Sequence, residues 1–386
     1  MIFLLLQLTH NASDGRIGVA DAFTDYIKFL PESIPLPTFW SEEEISLVRG
    51  TSLELALETK LSSLEREFLH LEDSTGTIDW CRQYWWDVET GQLTLEDWKF
   101  VDATYRSRAL DLPGTGHATV PCIDMANHAS DVSTGALYET DEDSNAILVL
   151  ANGKTIKSGN EVTITYGDQK GACEMLFSYG FLEAGTETSS DLFLDIELPD
   201  DDPLALAKRQ ASIAAPGFRL YQKAGKTSWE GPFIWLLSLN EEDGLDFKVA
   251  QSHDGTRELQ LYFQNHLISD GLTLLSTIRE HDLWDVFQLR AATVVQSRVE
   301  EQLLRLKENE HHIGDAPRGQ RRMLASRLRA SEEQLMFDAY QTIAAETDAL
   351  LQSPSVQAYL SKASEAFVVT EASEPPHGDE EADDFS

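Results

Sequence analysis

The spacing of apolar residues divides the chain into three regions with different periods. Residues 52–68 carry leucines and a phenylalanine at every third or fourth position, which is typical of a helix with one buried face. Between 118 and 198 the pattern changes to short apolar runs and alternation, which predicts strands at 118–122, 145–150, 161–166 and 191–198. Beyond residue 202 helical spacing returns, so the chain is predicted to pass from helices to strands and back to helices.

The helical regions carry further signals for their boundaries. Two helical pieces are predicted within 1–30, broken at 11–15, and prolines make 31–37 an extended connector. Further helices are predicted at 94–107 and 170–179, and four to six amphipathic helices over 202–366, most clearly at 281–310 and 320–350.

Two polar signatures predict where helices begin. Ser41 with Glu44, and Thr51 with Glu54, have the spacing of a capping box, in which each side chain satisfies a free backbone amide at the helix start.

Charge is the unusual part of the composition. The 386 residues allow two domains, and a hydrophobic content of 42% is ordinary, but the net charge is −36. Residues 371–386 hold seven acids, so most of the acidity belongs to the body of the chain. A negative charge of this size repels nucleic acid and favours a basic partner, although a role in solubility alone explains the acidity equally well. Residues 367–386 are expected to form a disordered acidic tail.

The cysteines and the first residues bear on compartment. Three cysteines, Cys81, Cys122 and Cys173, form no C-x-x-C pair, so neither a zinc cluster nor a disulfide framework is expected, and no metal site is predicted. A reducing cytoplasmic or nuclear compartment fits. The apolar start at 1–6 is too short to cross a bilayer and lacks a basic leader, so no membrane partner is expected. It is interpreted as the end of a buried helix whose beginning is missing.

Aromatic residues are dense between 80 and 98. They either line a channel or pack a helical layer, and packing is the favoured interpretation. The group comprises Trp80, Tyr84, Trp85, Trp86 and Trp98.

Four stretches in the centre of the chain place polar side chains directly beside short apolar runs. They read Y-R-S-R-A-L at 105–110, T-V-P-C-I-D-M-A-N-H at 119–128, N-E-V-T-I-T-Y-G at 160–167 and E-M-L-F-S-Y-G-F at 174–181. Together they resemble the second half of a SET domain, the fold of many protein lysine methyltransferases. The group that they resemble most is the Rubisco large-subunit methyltransferases.

The resemblance implies an α+β fold. Residues 1–108 would be the helical insert of the SET domain, 109–200 its catalytic C-terminal half, and 201–366 an all-α substrate-binding domain. It also implies S-adenosylmethionine as cofactor and a lysine side chain of a protein as methyl acceptor.

The resemblance also implies roles for individual residues. Tyr166, at the strand-end Y-G motif, would be catalytic and orient the amine, the alternative being a tyrosine that packs on the core. Arg108 would face the cofactor carboxylate, or be a solvated cation at a helix end. The remaining cofactor-binding residues would be Asp124, Met125, Ala126, Asn127, His128, Tyr179, Gly180 and Phe181.

Some of these roles have alternatives. Asp124 is either a structural anchor or part of the cofactor loop. Phe181 by itself would more often be core, and Gly180 is expected to let the chain pass close to the loop at 124–128.

Two departures from the family pattern motivate a competing hypothesis. The glycine-rich segment that begins a SET domain does not occur in the sequence, and Ala172 stands where the family has an asparagine. An incomplete scaffold of this kind would suit a non-catalytic interaction protein. Methylation of another side chain, such as histidine, is a third possibility.

Overall fold

The computed structural model describes residues 1–10, 23–87, 89, 92–114, 116–130, 133–167, 170–183, 191–198, 201–211, 214–223, 225–251, 255–315 and 319–371. The α-helices are α1 (Ile2–His10), α2 (Thr24–Ile27), α3 (Glu42–Ile45), α4 (Ser52–Thr75), α5 (Asp79–Cys81), α6 (Leu95–Arg108), α7 (Ala172–Tyr179), α8 (Ala205–Gln210), α9 (Pro232–Leu237), α10 (Gly271–Arg279), α11 (Trp284–Glu308), α12 (His311–Asp315), α13 (Gln320–Leu351) and α14 (Pro354–Glu371).

The strands are short and form several small sheets. They are β1 (Leu110–Leu112), β2 (Gly116–Ala118), β3 (Asn127–His128), β4 (Ala136–Thr140), β5 (Ala146–Leu150), β6 (Thr163–Ile164), β7 (Asp191–Asp195), β8 (Gly217–Lys223), β9 (Lys226–Glu230), β10 (Leu245–Gln251), β11 (Arg257–Phe263) and β12 (His266–Ile268). Strands β1–β2 and β4–β5 are antiparallel pairs, β3 and β6 pair in parallel, and β7–β8–β9 and β10–β11–β12 are three-stranded sheets. The predicted α+β class is confirmed.

The chain packs into two compact units. The first comprises the described residues of 1–192, 221–226 and 302–335, and the second those of 193–220, 227–301 and 336–386. Among the described helices, none has the length and apolarity needed to cross a bilayer.

The first unit buries the helical stripe and the tryptophan-rich segment that were predicted as core. Leu53, Leu57 and Leu64 of α4 are fully buried. Trp85 and Trp98 lie in one apolar cluster with Leu64, so packing is the role of these aromatics. A smaller cluster around Ile164 joins β1, β4 and β6 and supports the strands of the central stretch.

The central strands agree with the prediction in position but not always in length. Strands β5 and β7 lie within the predicted strands at 145–150 and 191–198, whereas the strand predicted at 161–166 is reduced to the two residues of β6. The strand predicted at 118–122 is wrong, because β2 ends at Ala118 and Cys122 has a left-handed φ of 75°. Pro121 has no amide hydrogen and cannot continue a strand ladder.

The second unit contains strands where only helices were predicted. Strands β8–β12 occupy most of 217–268, so the all-α interpretation of 201–366 is wrong for that stretch, and helices α10–α14 confirm it from Gly271 onward. Leu261 and Phe263 are buried and alternate with polar neighbours, and they pack with Phe287 of α11 in the unit's apolar core. The period of two is present in the sequence of β10 and β11, and the helical prediction overlooked it.

Two predicted boundaries at the chain ends can also be compared with the structure. The break at 11–15 lies outside the described residues, between α1 and α2. Helix α14 continues to Glu371, so 367–371 are helical rather than tail, and 372–386 lie outside the described residues.

One of the two predicted capping boxes is present. The amide of Glu44 donates to Ser41 Oγ at 3.3 Å, and the amide of Ser41 donates to Glu44 Oε2 at 2.9 Å. The box at Thr51 is wrong, because its hydroxyl donates to the carbonyl of Val48 instead.

A distant carboxylate caps α4 in place of Thr51. The backbone amide and hydroxyl of Ser52 donate to buried Glu332 of α13, at 3.0 and 2.5 Å. The first turn of α4 is therefore satisfied from another helix.

Candidate active site

A parallel strand pair brings two of the predicted motifs together. Asn127 pairs with Thr163 and His128 with Ile164, and the amide of Ala129 donates to the carbonyl of Ile164 at 2.9 Å. Parallel strands require a long connection, which here contains the β4–β5 hairpin. The loop ending in His128 and the segment ending in Tyr166 therefore meet at one place in the first unit.

The ring of His128 is fixed by hydrogen bonds at both nitrogens. The amide of Tyr166 donates to His128 Nδ1 at 3.0 Å. Nδ1 is therefore an acceptor, so the ring proton lies on Nε2 and is donated to Glu183, whose other oxygen accepts from Ser130 Oγ at 3.1 Å. Glu183 was missed from the sequence, since nothing in its spacing connects it to His128.

The hydroxyl of Tyr166 points back at the loop. It donates to the carbonyl oxygen of Ala126 at 2.9 Å. Burial raises the pKa of Tyr166, so the hydroxyl stays protonated near neutral pH and keeps this bond. Its oxygen lone pairs remain available to accept a hydrogen bond from a ligand.

Three aromatic rings lie close to the ring of Tyr166. The ring centroid of Tyr179 lies 4.6 Å from that of Tyr166, and those of His128 and Phe181 lie 5.2 and 6.5 Å from it. Burial, followed by the charge of Glu174, raises the pKa of Tyr179 to about 12. The predicted Tyr179 and Phe181 are thus brought to Tyr166.

Tyr138 is an aromatic residue near Tyr166 that was missed from the sequence. It lies on β4 and packs in the same apolar cluster as Tyr166. Tyr138 lies two positions after buried Ala136 on β4, so strand alternation places both side chains on the same face, and this spacing could have identified it.

Gly180 ends helix α7 in a left-handed conformation with φ of 78°. A Cβ at this position would lie 2.8 Å from the carbonyl oxygen of Pro35. The expected close approach therefore exists, but it is to the proline connector and not to the loop at 124–128. Gly180 still sets the direction in which the chain leaves α7 toward Phe181.

Asp124 of the loop, which is buried, and Arg108 at the end of α6, which is partly buried, form a polar pair. Arg108 Nη1 donates to the Asp124 carbonyl at 3.1 Å and approaches its carboxylate at 3.5 Å, and Tyr26 donates to the same carboxylate oxygen. Burial raises the pKa of Asp124, with the hydrogen bond from Tyr26 and the charge of Arg108 opposing it. The alternative of a solvated Arg108 is wrong, since its side chain is only 19% exposed.

Asp124 also has a free acceptor atom. Its Oδ1 is buried and has no hydrogen-bond partner within the described part of the chain. A buried carboxylate oxygen without a donor is costly unless a ligand satisfies it.

Two predicted loop residues, Met125 and Asn127, direct their side chains away from Tyr166. Met125 is 40% exposed, and exposed Asn127 donates through Nδ2 to Glu161. Only the backbone of this part of the loop, at Ala126, reaches the Tyr166 hydroxyl.

Comparison with curated proteins gives relatives named as SET-domain proteins and lysine methyltransferases. SET domain-containing protein 8 of Schizosaccharomyces pombe is 31% identical over 264 residues, 67% of this chain and 58% of that protein. The chloroplastic fructose-bisphosphate aldolase lysine N-methyltransferase of Arabidopsis thaliana is 29% identical over 52% of this chain and 40% of its own length. The chloroplastic Rubisco large subunit N-methyltransferase of Pisum sativum is 26% identical over 56% and 46%.

The chain thus spans between 40% and 58% of the length of these three relatives. No family model matches the sequence.

Solved structures give the same fold. The SET domain of LSMT bound to lysine and AdoHcy superposes with a TM-score of 0.63 at 18% identity, covering 91% of this chain and 75% of that one. The structure of Rubisco LSMT bound to AdoMet gives 0.61 over the same shares. The chain therefore has the SET-domain fold, and its resemblance to the Rubisco large-subunit methyltransferase group is confirmed.

Proposed function

We propose that the chain transfers a methyl group from S-adenosylmethionine to the side-chain amine of a lysine on a protein. The observation that carries this proposal is the position of the Tyr166 hydroxyl. It is fixed by Ala126 at 2.9 Å, at a parallel strand junction, and the ring that carries it packs with the rings of Tyr179, Phe181 and His128.

Methylation of an amine makes particular demands on a site. Lysine has a pKa near 10.4, so reaching the neutral amine at pH 7 costs roughly 4.6 kcal/mol. A dry aromatic channel lowers this cost by disfavouring the ammonium. No metal and no strong acid are required, because positive charge moves from sulfur to nitrogen and no oxyanion forms.

Tyr166 suits the task of aiming the amine. Its proton is committed to Ala126, so its oxygen can only accept a hydrogen bond from the amine N–H. An N–H bond held in this direction fixes the orientation of the nitrogen lone pair. Alignment of this kind contributes several kcal/mol to transfer when the reacting atoms lie about 3–3.5 Å apart.

The residues beneath the loop fit the amino-acid part of S-adenosylmethionine. The described hydrogen bonds of Arg108 run through Nη1 alone, so the rest of its guanidinium can donate to a carboxylate. The unpaired Asp124 Oδ1 can accept from an ammonium. When bound, this cofactor supplies an electrophilic methyl carbon on a sulfonium.

A protein acceptor is supported by the names of the relatives, which act on aldolase and on Rubisco. The net charge of −36 favours a basic acceptor surface through faster encounter. We also propose a reducing compartment, cytoplasm or nucleus, because the described cysteines are free.

The test is transfer of labelled methyl to the soluble proteins of the source organism, followed by mass spectrometry of each labelled residue. Tyr166→Phe keeps the ring and removes the acceptor oxygen, so we expect about a 100-fold lower rate. Tyr340→Phe, on helix α13, is the matched control and should leave the rate unchanged.

Three outcomes would change the proposal. Undiminished transfer by Tyr166→Phe would remove the role of Tyr166. Label on histidine would replace the acceptor class. No detectable binding of S-adenosylhomocysteine by calorimetry would favour the non-catalytic interaction protein.

A further inference from the structure

Lys170 lies across the glycine that follows Tyr166. Gly167 has a φ of 131°, and a Cβ on it would lie 2.9 Å from Lys170 Cε. The amide of Lys170 also donates to the Gly167 carbonyl, at 3.4 Å. The aliphatic part of Lys170 therefore takes the space that a side chain at 167 would fill.

The ammonium of Lys170 reaches the aromatic group of the site. Its Nζ lies 5.8 Å from the ring centroid of Tyr179, which stacks on Tyr166. The pKa of Tyr138 is raised by burial and by Asp111, and the charge of Lys170 opposes this rise. The positive charge of Lys170 thus lies near the ring of Tyr179 and affects the pKa of Tyr138.

The carboxylate of Glu174 holds the ammonium there. The two residues form an ion pair four positions apart, with Lys170 just before α7 and Glu174 in its first turn, and the Lys170 side chain is 27% exposed. Lys99 provides the contrast, since it pairs with Glu96 at 2.7 Å and no ring contact accompanies that pair among the described residues. Ion pairing with a nearby acid is thus common to both lysines, and proximity to the tyrosines is particular to Lys170.

We propose that Lys170 is itself a methyl acceptor of this chain, an inference that rests on the proposed function. The ammonium first loses a proton to water. The nitrogen lone pair then forms the bond to the methyl carbon while the bond from that carbon to sulfur breaks, and its electron pair stays on sulfur. The products are Nζ-methyl-lysine and S-adenosylhomocysteine.

The reaction has a consequence for other acceptors. A methylated Lys170 keeps its positive charge and its attraction to the tyrosine ring, but has fewer N–H donors for Glu174. While it occupies this position, Lys170 competes with the lysine of a protein substrate.

The test combines methyl transfer with a measurement that needs no cofactor. Full-length protein is incubated with deuterated-methyl S-adenosylmethionine, digested, and the peptide containing Lys170 is examined by mass spectrometry. We expect the label on this peptide in the wild type and its loss in Tyr166→Phe and Lys170→Arg. Lys99→Arg is the matched control and should keep it. A dilution series separates transfer within one molecule from transfer between copies, and either form supports the proposal.

The second measurement uses reductive ¹³C-methylation of all lysines with formaldehyde. The Lys170 signal, assigned from Lys170→Arg, should be shifted upfield by the Tyr179 ring and return toward the Lys99 signal in Tyr179→Leu. An unshifted Lys170 signal would overturn the placement of Lys170. Label on an external protein but none on Lys170 would overturn the proposal and leave the proposed function intact. No transfer to any acceptor would overturn both.

Discussion

The Nδ1 atom of His128 accepts the backbone amide of Tyr166 at 3.0 Å. This bond joins the loop that carries Asp124 to Tyr166, whose ring packs among the aromatic side chains. Since Tyr166 also returns a hydrogen bond from its hydroxyl to Ala126, the loop and the tyrosine hold each other at two points.

Removing the His128 acceptor should misplace Tyr166. His128→Ala leaves the Tyr166 amide without its acceptor and removes one of the two described hydrogen bonds to the Glu183 carboxylate, which costs about 1–3 kcal/mol. We expect methyl transfer to fall about 10- to 100-fold. His128→Asn can still accept from the Tyr166 amide through Oδ1, so its rate should lie between the rates of the wild type and of His128→Ala. Steady-state kinetics on one acceptor measure this order, and equal losses for both variants would contradict it.

A side chain at Gly180 should destabilise the first unit by two separate effects. Gly180→Ala requires a left-handed alanine and brings its Cβ to 2.8 Å from Pro35 O. Gly153 shares the conformation, with φ of 73°, but has open space around it. We expect Gly153→Ala to lower the free energy of unfolding by about 1 kcal/mol and Gly180→Ala by about 2–4 kcal/mol. Urea denaturation measures both, and equal losses would show that the contact with Pro35 is unimportant.

The buried carboxyl of Glu332 should make stability depend on pH. Burial raises its pKa from 4.5 to about 7, against the hydrogen bonds from Ser52. The folded state therefore binds this proton more tightly than the unfolded state, so stability is fully present below pH 4.5 and is lost as pH rises to about 7. The loss amounts to about 3 kcal/mol.

Glu332→Gln keeps an acceptor for Ser52 and cannot ionise. Its free energy of unfolding should match the wild type at pH 4.5 and exceed it at pH 8. Glu333→Gln, at the neighbouring exposed position, should follow the wild type at both values. A parallel pH dependence of wild type and Glu332→Gln would contradict the assignment.

Arg108 should contribute to cofactor affinity through the geometry of its guanidinium. Arg108→Lys retains the charge but replaces the planar guanidinium fork with a single nitrogen, so Asp124 and a ligand carboxylate must share it. We expect the Kd for S-adenosylhomocysteine, measured by calorimetry, to rise about 10- to 100-fold. Arg82→Lys, whose exposed partner is Asp79, is the control and should leave the Kd unchanged.

Much of the site could be predicted because its motifs are local in sequence. The central strands and helix α7 follow from periodicity, whereas the roles expected of Tyr166, Tyr179 and Gly180 rest on the resemblance of their motifs to SET domains. Glu183 and Tyr138 could not be found in this way, since their roles depend on long-range contacts with His128 and Tyr166.

In the second unit, the strands were not predicted. Strands β10 and β11 are seven residues long and carry apolar residues at alternate positions, so the sequence contains a strand signal there that the helical prediction overlooked. The cap of α4 could not be predicted from local sequence, because its carboxylate comes from Glu332 on another helix.

The parallel pairing of β3 with β6 has a consequence for how the molecule folds. Formation of the intervening hairpin shortens the loop between the two strands and so lowers the entropic cost of their pairing. Contacts between residues so far apart in sequence form slowly. The reactive centre is therefore expected to be assembled late, after the hairpin has collapsed, and a nascent chain that ends before Ile164 has nothing to hold His128 in place.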